Sequence, residues 1–136
     1  MIYLLDTCVI SDFIKGEVNT LYRIKNISPS EIAVSTITIM EIEYGLALNP
    51  KLAKKIKPII SDLLATIDVL DFTRNDASQV ALTRALLKQQ GNPIGSYDIL
   101  LAGTALNNKL IMVTANEKEF NKIPGLKVEN WRISIE

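Results

Sequence analysis

The chain has 136 residues, 48% of them hydrophobic, with 15 basic and 15 acidic side chains, one cysteine and no histidine. Without histidine there is no Ser-His-Asp or Cys-His machinery and no imidazole general base. With Cys8 alone there is neither an internal disulfide nor a zinc site of the usual N/S kind. An enzyme with this inventory must work through carboxylates, hydroxyls, lysines, amides or a metal held by oxygen ligands.

The length suits one domain, residues 1–136, able to bury roughly two-thirds of its unfolded surface. Zero net charge supplies no global attraction to nucleic acid or membrane, so a polyanion must be held locally or through a metal. The N-terminus has no basic leader region, and Asp6 interrupts its apolar run. No apolar stretch approaches the ~18 residues of a membrane span. A cytoplasmic protein with no membrane association is expected.

Ile2 to Leu5 reads as a short buried strand. Asp6-Thr7 opens a helix to Lys15, stopped by Gly16. A second helix covers Val18 to Lys25, and Ser28-Pro29-Ser30 forms a turn. Glu31 to Ser35 is the second strand. Ser35 or Thr36 caps a third helix reaching about Leu48. A fourth runs from Lys51 to Ala65 with a kink expected at Pro58. Ile67 to Leu70 is the third strand. Arg74 to Gln90 forms an amphipathic helix, with Val80, Leu82, Leu86 and Leu87 expected inward and Gly91 at its end. Ser96 caps a helix to about Asn107. Leu110 to Val113 is the fourth strand, Lys118 to Phe120 a turn of helix, and Lys127 to Glu129 a fifth, edge strand. Strands alternating with helices predict an α/β fold, a mainly parallel twisted sheet flanked by helices. Ligands of such sheets bind outside the carboxyl ends of the strands.

Several acids fall at that edge. Asp6 directly follows the first strand and reads as a helix N-cap, as a functional carboxylate, or as both. Glu41 lies in a helix whose apolar residues (Ile37, Ile39, Met40, Ile42, Tyr44, Leu46, Ala47, Leu48) cover most of the circumference, the pattern of a buried helix. It shares a narrow polar stripe with Thr38 and Gly45. The stripe is either a solvated slot or an inward carboxylate requiring a cation. Asp98, in the first turn of its helix, reads as a complement to the helix dipole or as a residue at the inner rim of a site. Asn116 follows the fourth strand, with Glu119 one helical turn on, and reads as a turn or cap residue or as part of the same cluster. Carboxylates gathered at one edge repel by about 4 kcal/mol per pair at 4 Å and an effective dielectric of 20. A divalent cation would resolve this, and an all-oxygen ligand set favours Mg²⁺ or Mn²⁺. The natural reaction is metal-assisted phosphodiester hydrolysis.

Four segments carry a family resemblance: Tyr3-Leu-Leu-Asp-Thr-Cys-Val-Ile-Ser11, Ser35-Thr-Ile-Thr-Ile-Met-Glu-Ile-Glu-Tyr-Gly45, Pro93-Ile-Gly-Ser-Tyr-Asp-Ile-Leu-Leu-Ala-Gly103 and Val113-Thr-Ala-Asn-Glu-Lys-Glu-Phe120. Ile123-Pro-Gly-Leu126 and Glu129-Asn-Trp131 also fit. In this order, along the whole chain, the sequence resembles PIN-domain proteins, specifically VapC-type toxin ribonucleases. The resemblance implies a three-layer PIN-like fold and a Mg²⁺- or Mn²⁺-dependent endoribonuclease. Asp6, Glu41 and Asp98 would be its catalytic, metal-binding acids. It also implies an RNA substrate, a homodimer, and inhibition by a VapB-type antitoxin through which alone the complex meets DNA. Many PIN domains carry a fourth acid where this chain has Asn116. Asn can coordinate through its carbonyl, but its neutrality weakens the case for a tightly held second metal. Glu119 either supplies the missing carboxylate or supports the site. Thr7 and Thr114 are candidate hydroxyls for orienting Asp6 and a bound water, and Ser11 is a candidate to face the same cleft.

For substrate, Lys51, Lys54, Lys55 and Lys57 form the densest basic run, either a solvated helix face or a phosphate contact. Tyr44 and Tyr97 are the aromatic residues nearest the site, with core packing the expected role for both. An aspartyl-nucleophile phosphatase would need a second Asp at position 8, and a response-regulator receiver an acidic pair at the first strand's end. Neither is present. The remaining rival is a catalytically weak PIN-fold binding protein acting through partner association.

Overall fold

The computed structural model describes residues 1–133. Its elements in chain order begin with β1 (Tyr3–Leu5), α1 (Thr7–Lys15), α2 (Val18–Asn26), β2 (Ile32–Ser35) and α3 (Thr36–Ala47). They continue with α4 (Pro50–Leu64), β3 (Asp68–Leu70), α5 (Arg74–Gln89), α6 (Ser96–Asn107), β4 (Ile111–Val113), α7 (Glu117–Phe120) and β5 (Val128–Glu129). The sheet has five strands in the order β3-β2-β1-β4-β5, and every pairing is parallel.

The strands are short and apolar because both faces of the sheet are covered. Their period-two geometry sends Leu4, Ala33 and Met112 into one core, with Val80 and Leu87 of α5 and Ile99, Leu101, Ala102 and Ala105 of α6. Leu5, Ile32, Val34 and Val113 enter the other, with Val9 and Ile10 of α1, Leu63 of α4 and Trp131. Helices α5 and α6 therefore cover one face and α1, α3 and α4 pack on the other, the expected three-layer α/β arrangement.

Local chemistry sets the helix ends. Asp6 caps α1, and Gly16 closes it in the left-handed conformation (φ 77°). Thr73 and Asp76 form a reciprocal capping box at α5. Asp76 is almost fully buried and takes its place by accepting from Thr104 Oγ1 (3.1 Å) and Asn107 Nδ2 (2.7 Å), which ties α5 to α6. The two helices approach closely at Gly103, where an added Cβ would lie 2.2 Å from Val80 Cγ2. Arg132 holds the end of the described chain against buried Asp12 of α1 through two bonds, Nε to Oδ2 (2.6 Å) and Nη2 to Oδ1 (2.8 Å).

Four expectations are corrected. Leu82 and Leu86 do not face inward; Leu82 is 71% exposed and Leu86 is also exposed. The buried line of α5 is Asp76, Val80, Thr83 and Leu87, a stripe at helical spacing in which hydrogen-bonded polar residues take places that an apolar count assigns to leucine. Helix α3 is only partly covered: Met40, Tyr44 and Leu48 are exposed, and Thr38 is its fully buried member. Tyr44 and Tyr97 are 67% and 50% exposed rather than packed in the core. The N-cap of α6 is Gly95, with Ser96 its first residue. Among smaller shifts, α4 runs unbroken through Pro58, and Glu31 belongs to a 3₁₀ turn, Pro29–Glu31, ahead of β2.

Among the described residues no helix is long and apolar enough to cross a membrane.

Candidate active site

The chain winds from β1 through β2 to β3 in one direction and places β4 and β5 on the other side of β1. The order therefore reverses between β1 and β4, the position where α/β sheets open a crevice at the strands' carboxyl ends. Asp6 leaves β1 and Thr114 leaves β4 at that point. The sheet ladder continues into them, with Asp6 N–H donating to Val113 O (2.9 Å) and Thr114 N–H to Glu129 O (2.9 Å).

Asp6 is 8% exposed, and each of its carboxylate oxygens has donors. Oδ1 accepts from Thr7 N–H (2.7 Å), the capping bond of α1. Oδ2 accepts from Thr114 Oγ1 (2.8 Å) and from Cys8 Sγ (3.5 Å). Thr114, fully buried, also accepts from Asn116 N–H (2.9 Å). The Cys8 sulfur accepts from Ala115 N–H (3.4 Å). Burial and the Asp6 charge both push the Cys8 thiol up, so it stands as a neutral donor rather than a nucleophile. Asp6 is thus both the cap of α1 and a fixed carboxylate at the switch point.

Thr7 links the next acid, its Oγ1 donating to Glu41 Oε1 of α3 (2.9 Å). Glu41 is half-buried and, with Thr7, Ser11 and Gly45, lines a groove of about 490 Å³ between α1, α3 and α4. Asp98, in the first turn of α6, is half-buried. Desolvation, then the charges of Asp6, Glu119 and Glu41, raise its pKa from 3.8 to about 6. The other three candidate acids therefore act on Asp98 through one field, although the β1–α1 junction, α3 and α7 contribute them separately.

The arrangement is looser than a finished metal cage. Among the described residues no three carboxylate or thiol side chains are drawn together closely enough to hold an ion. Asn116 is exposed at the N-cap of α7 and makes no side-chain capping bond, and Glu119 is engaged by Lys122. The donor chemistry nevertheless suits a hard divalent cation, being oxygen throughout. The buried Thr38 hydroxyl, one turn before Glu41 on its stripe, has no partner, an unmet polar group of the kind that an occupied site or ordered water satisfies.

A PIN domain family model matches residues 3–126. The chain belongs to the PIN-domain family. Over 129 residues it is 33% identical to the tRNA(fMet)-specific endonuclease VapC of Shigella flexneri, covering 95% of this chain and 97% of that protein. It is 32% identical over 129 residues to ribonuclease VapC2 of Haemophilus influenzae, with the same coverage. Among solved structures, VapBC2 from Rickettsia felis bound to a DNA fragment from its promoter matches with a TM-score of 0.88 and 30% identity, over 96% of this chain and 99% of that one. DNA-bound VapBC from Salmonella typhimurium matches with a TM-score of 0.87 and 31% identity, over 96% and 98%. The chain is a PIN-domain protein of the VapC type.

Reading the PIN-domain sequence alone overlooks two residues at this site. Cys8 reads only as the lone thiol, yet it bridges the β1–α1 and β4–α7 junctions. Lys122 lies three residues after Glu119, a helical pairing distance legible in the sequence.

Proposed function

We propose that this PIN-domain protein, with residues 1–136 as one domain, is a Mg²⁺- or Mn²⁺-dependent endoribonuclease, the toxin of a VapC-type pair. The observation that carries the proposal is the buried Asp6 carboxylate, fixed by Thr7 and Thr114 at the switch point of the sheet and close enough to help raise Asp98. Asp6, Glu41 and Asp98 would hold the ion, with Glu119 and Asn116 at its margin.

A divalent cation held by Asp6, Glu41 and Asp98 would supply charge neutralisation at a phosphodiester and a more acidic water. Thr114 and Thr7 each donate to Asp6 and so fix its orientation. The Thr7 hydroxyl also sets the Glu41 oxygen that it contacts. Burial and the neighbouring acids raise the Asp98 pKa, which suits a carboxyl whose ionised form awaits a cation. Ser11 lies on the groove wall beside Thr7 and Glu41, within reach of the substrate path. Lys51, Lys54, Lys55 and Lys57 are exposed on α4, and Lys55 reaches the groove rim together with Lys15, where phosphates of an RNA strand would meet positive charge.

The partner is a VapB-type antitoxin. The groove that opens at Glu41 is lined mainly by Ile10, Ile14, Ile42, Leu46, Ile56 and Ile59, a surface suited to an amphipathic segment. The related complexes of known structure are DNA-bound, one of them to a promoter fragment, and we assign DNA contact here to the antitoxin. The toxin is taken to be a homodimer.

Incubating antitoxin-free protein with structured RNA tests the proposal. Cleavage is expected with Mg²⁺ or Mn²⁺ and is lost with EDTA or in Asp6→Asn. Cleavage that persists in EDTA would eliminate the metal mechanism. No cleavage with either ion would favour a catalytically weak binding protein, the reading supported by the open spacing of the acids.

A further inference from the structure

The outer side of the acid cluster contains a fixed positive charge. Lys122, two residues beyond α7, pairs through its ammonium with Glu119 Oε2 and donates to Pro93 O (3.2 Å). Its two acceptors come from different segments. Glu119 belongs to α7, and Pro93 lies in the α5–α6 connection that leads through Gly95 to Asp98. The side chains of Lys122 and Glu119 are 27% and 29% exposed, so solvent screens this pair less than a fully exposed one. Glu119 also acts on Asp98, its charge being among those that raise its pKa.

Two positions after β4, Asn116 and Glu119, are where further metal ligands would be sought. At one stands exposed Asn116, neutral and without a side-chain bond at its helix end. At the other stands Glu119, with one oxygen already committed to an ammonium.

We propose that Lys122 is a built-in cation of this site, occupying at Glu119 the place that a second divalent ion would need, so that each chain binds a single Mg²⁺ or Mn²⁺. The inference rests on the metal-dependent reading above and goes beyond it in fixing the number of ions and the residue that limits it. A dication approaching Glu119 meets a positive charge at contact distance, and the charge cannot diffuse away because it is covalently part of the chain. Displacing it would also break the bond to Pro93 in the α5–α6 connection. Lys122 is accordingly a positioning residue. It neutralises Glu119 and pins the α7 and α6 sides of the cleft to each other.

Titrating antitoxin-free protein with Mn²⁺ tests this, with bound ion measured by loss of the free Mn²⁺ electron paramagnetic resonance signal. The wild type should bind one equivalent per chain. Lys122→Met should gain a second, weaker equivalent, which disappears again in the Lys122→Met, Glu119→Gln double variant. Lys122→Arg, which keeps the charge, should retain the single equivalent. Two equivalents in the wild type would overturn the proposal whether or not any variant folds. So would a single equivalent of unchanged affinity in folded Lys122→Met. If the wild type binds no Mn²⁺ and Asp6→Asn behaves identically, the metal-dependent reading itself fails, and this inference falls with it.

Discussion

Replacing Asp98 by Asn asks whether the acids at the strand ends share one electrostatic field. Asp98 rises from an ordinary 3.8 to about 6, first through desolvation and then through the charges of Asp6, Glu119 and Glu41. Between those two values the folded protein keeps a proton that the unfolded chain has already released. Stability therefore falls as pH rises through that window, and the whole penalty stands at neutral pH. At 1.36 kcal/mol per pH unit the window is worth about 3 kcal/mol. Asp98 is only half-buried, and solvent screening reduces this to about 1 kcal/mol. Losing a first-turn carboxylate from the helix dipole offsets about 0.4 kcal/mol of the gain. Asp98→Asn should therefore stabilise the metal-free protein at pH 7.5 by about 0.6 kcal/mol, which for a chain of this size is about 2–3 °C in Tm. Thermal melts followed by circular dichroism in EDTA measure the effect, and at pH 4.5 the difference should shrink towards zero. A lower Tm for the variant at pH 7.5, or the same shift at both pH values, would refute the shared-field argument and leave Asp98 as a structural first-turn acid.

Three other substitutions separate site from scaffold. Thr38→Val removes a buried hydroxyl that has no partner, so it should leave metal-free stability unchanged or raise it by up to ~1 kcal/mol. Mn²⁺ affinity should fall, and an unaltered affinity would remove Thr38 from the site. Asp76→Ala breaks the α5 capping box and strands donors on Thr104 and Asn107; we expect a loss of about 2–4 kcal/mol in urea unfolding, with Mn²⁺ affinity unchanged in the folded fraction. Gly103→Ala drives a Cβ to 2.2 Å from Val80 Cγ2, with backbone atoms of Val80 and Asp76 close behind. It should cost about 1–3 kcal/mol through overpacking, and a neutral result would mean that α5 and α6 separate easily.

Much of the fold was legible because its elements are locally specified. Short apolar runs, the Asp6 and Ser35 caps and the Gly16 stop each mark a boundary within a few residues of chain. The reading failed where burial depends on neighbours. Leu82 and Leu86 look like core residues by type, but the inward line of α5 passes through Asp76 and Thr83 because α6 offers hydrogen-bonding partners to Asp76. Met40 and Tyr44 have the apolar character of packed residues, yet they stand on a side of α3 left exposed.

For the site, the sequence by itself determined the inventory and the edge. With no histidine and one thiol, the chemistry falls to oxygen ligands, and the alternation of strands and helices places Asp6, Glu41, Asp98, Asn116 and Glu119 at the strands' carboxyl ends. Only the tertiary structure decided which of these groups touch. Strand order places β4 directly beside β1, so Thr114 reaches Asp6 across 108 positions of chain. Thr7 meets Glu41 across 34 positions, and Glu119 is committed to Lys122 while Asn116 is left exposed. The physical reason is one of range. Caps and periodicity are set by interactions over a few residues, whereas the partners of a carboxylate are chosen by how distant segments pack, and local pattern carries no record of that choice.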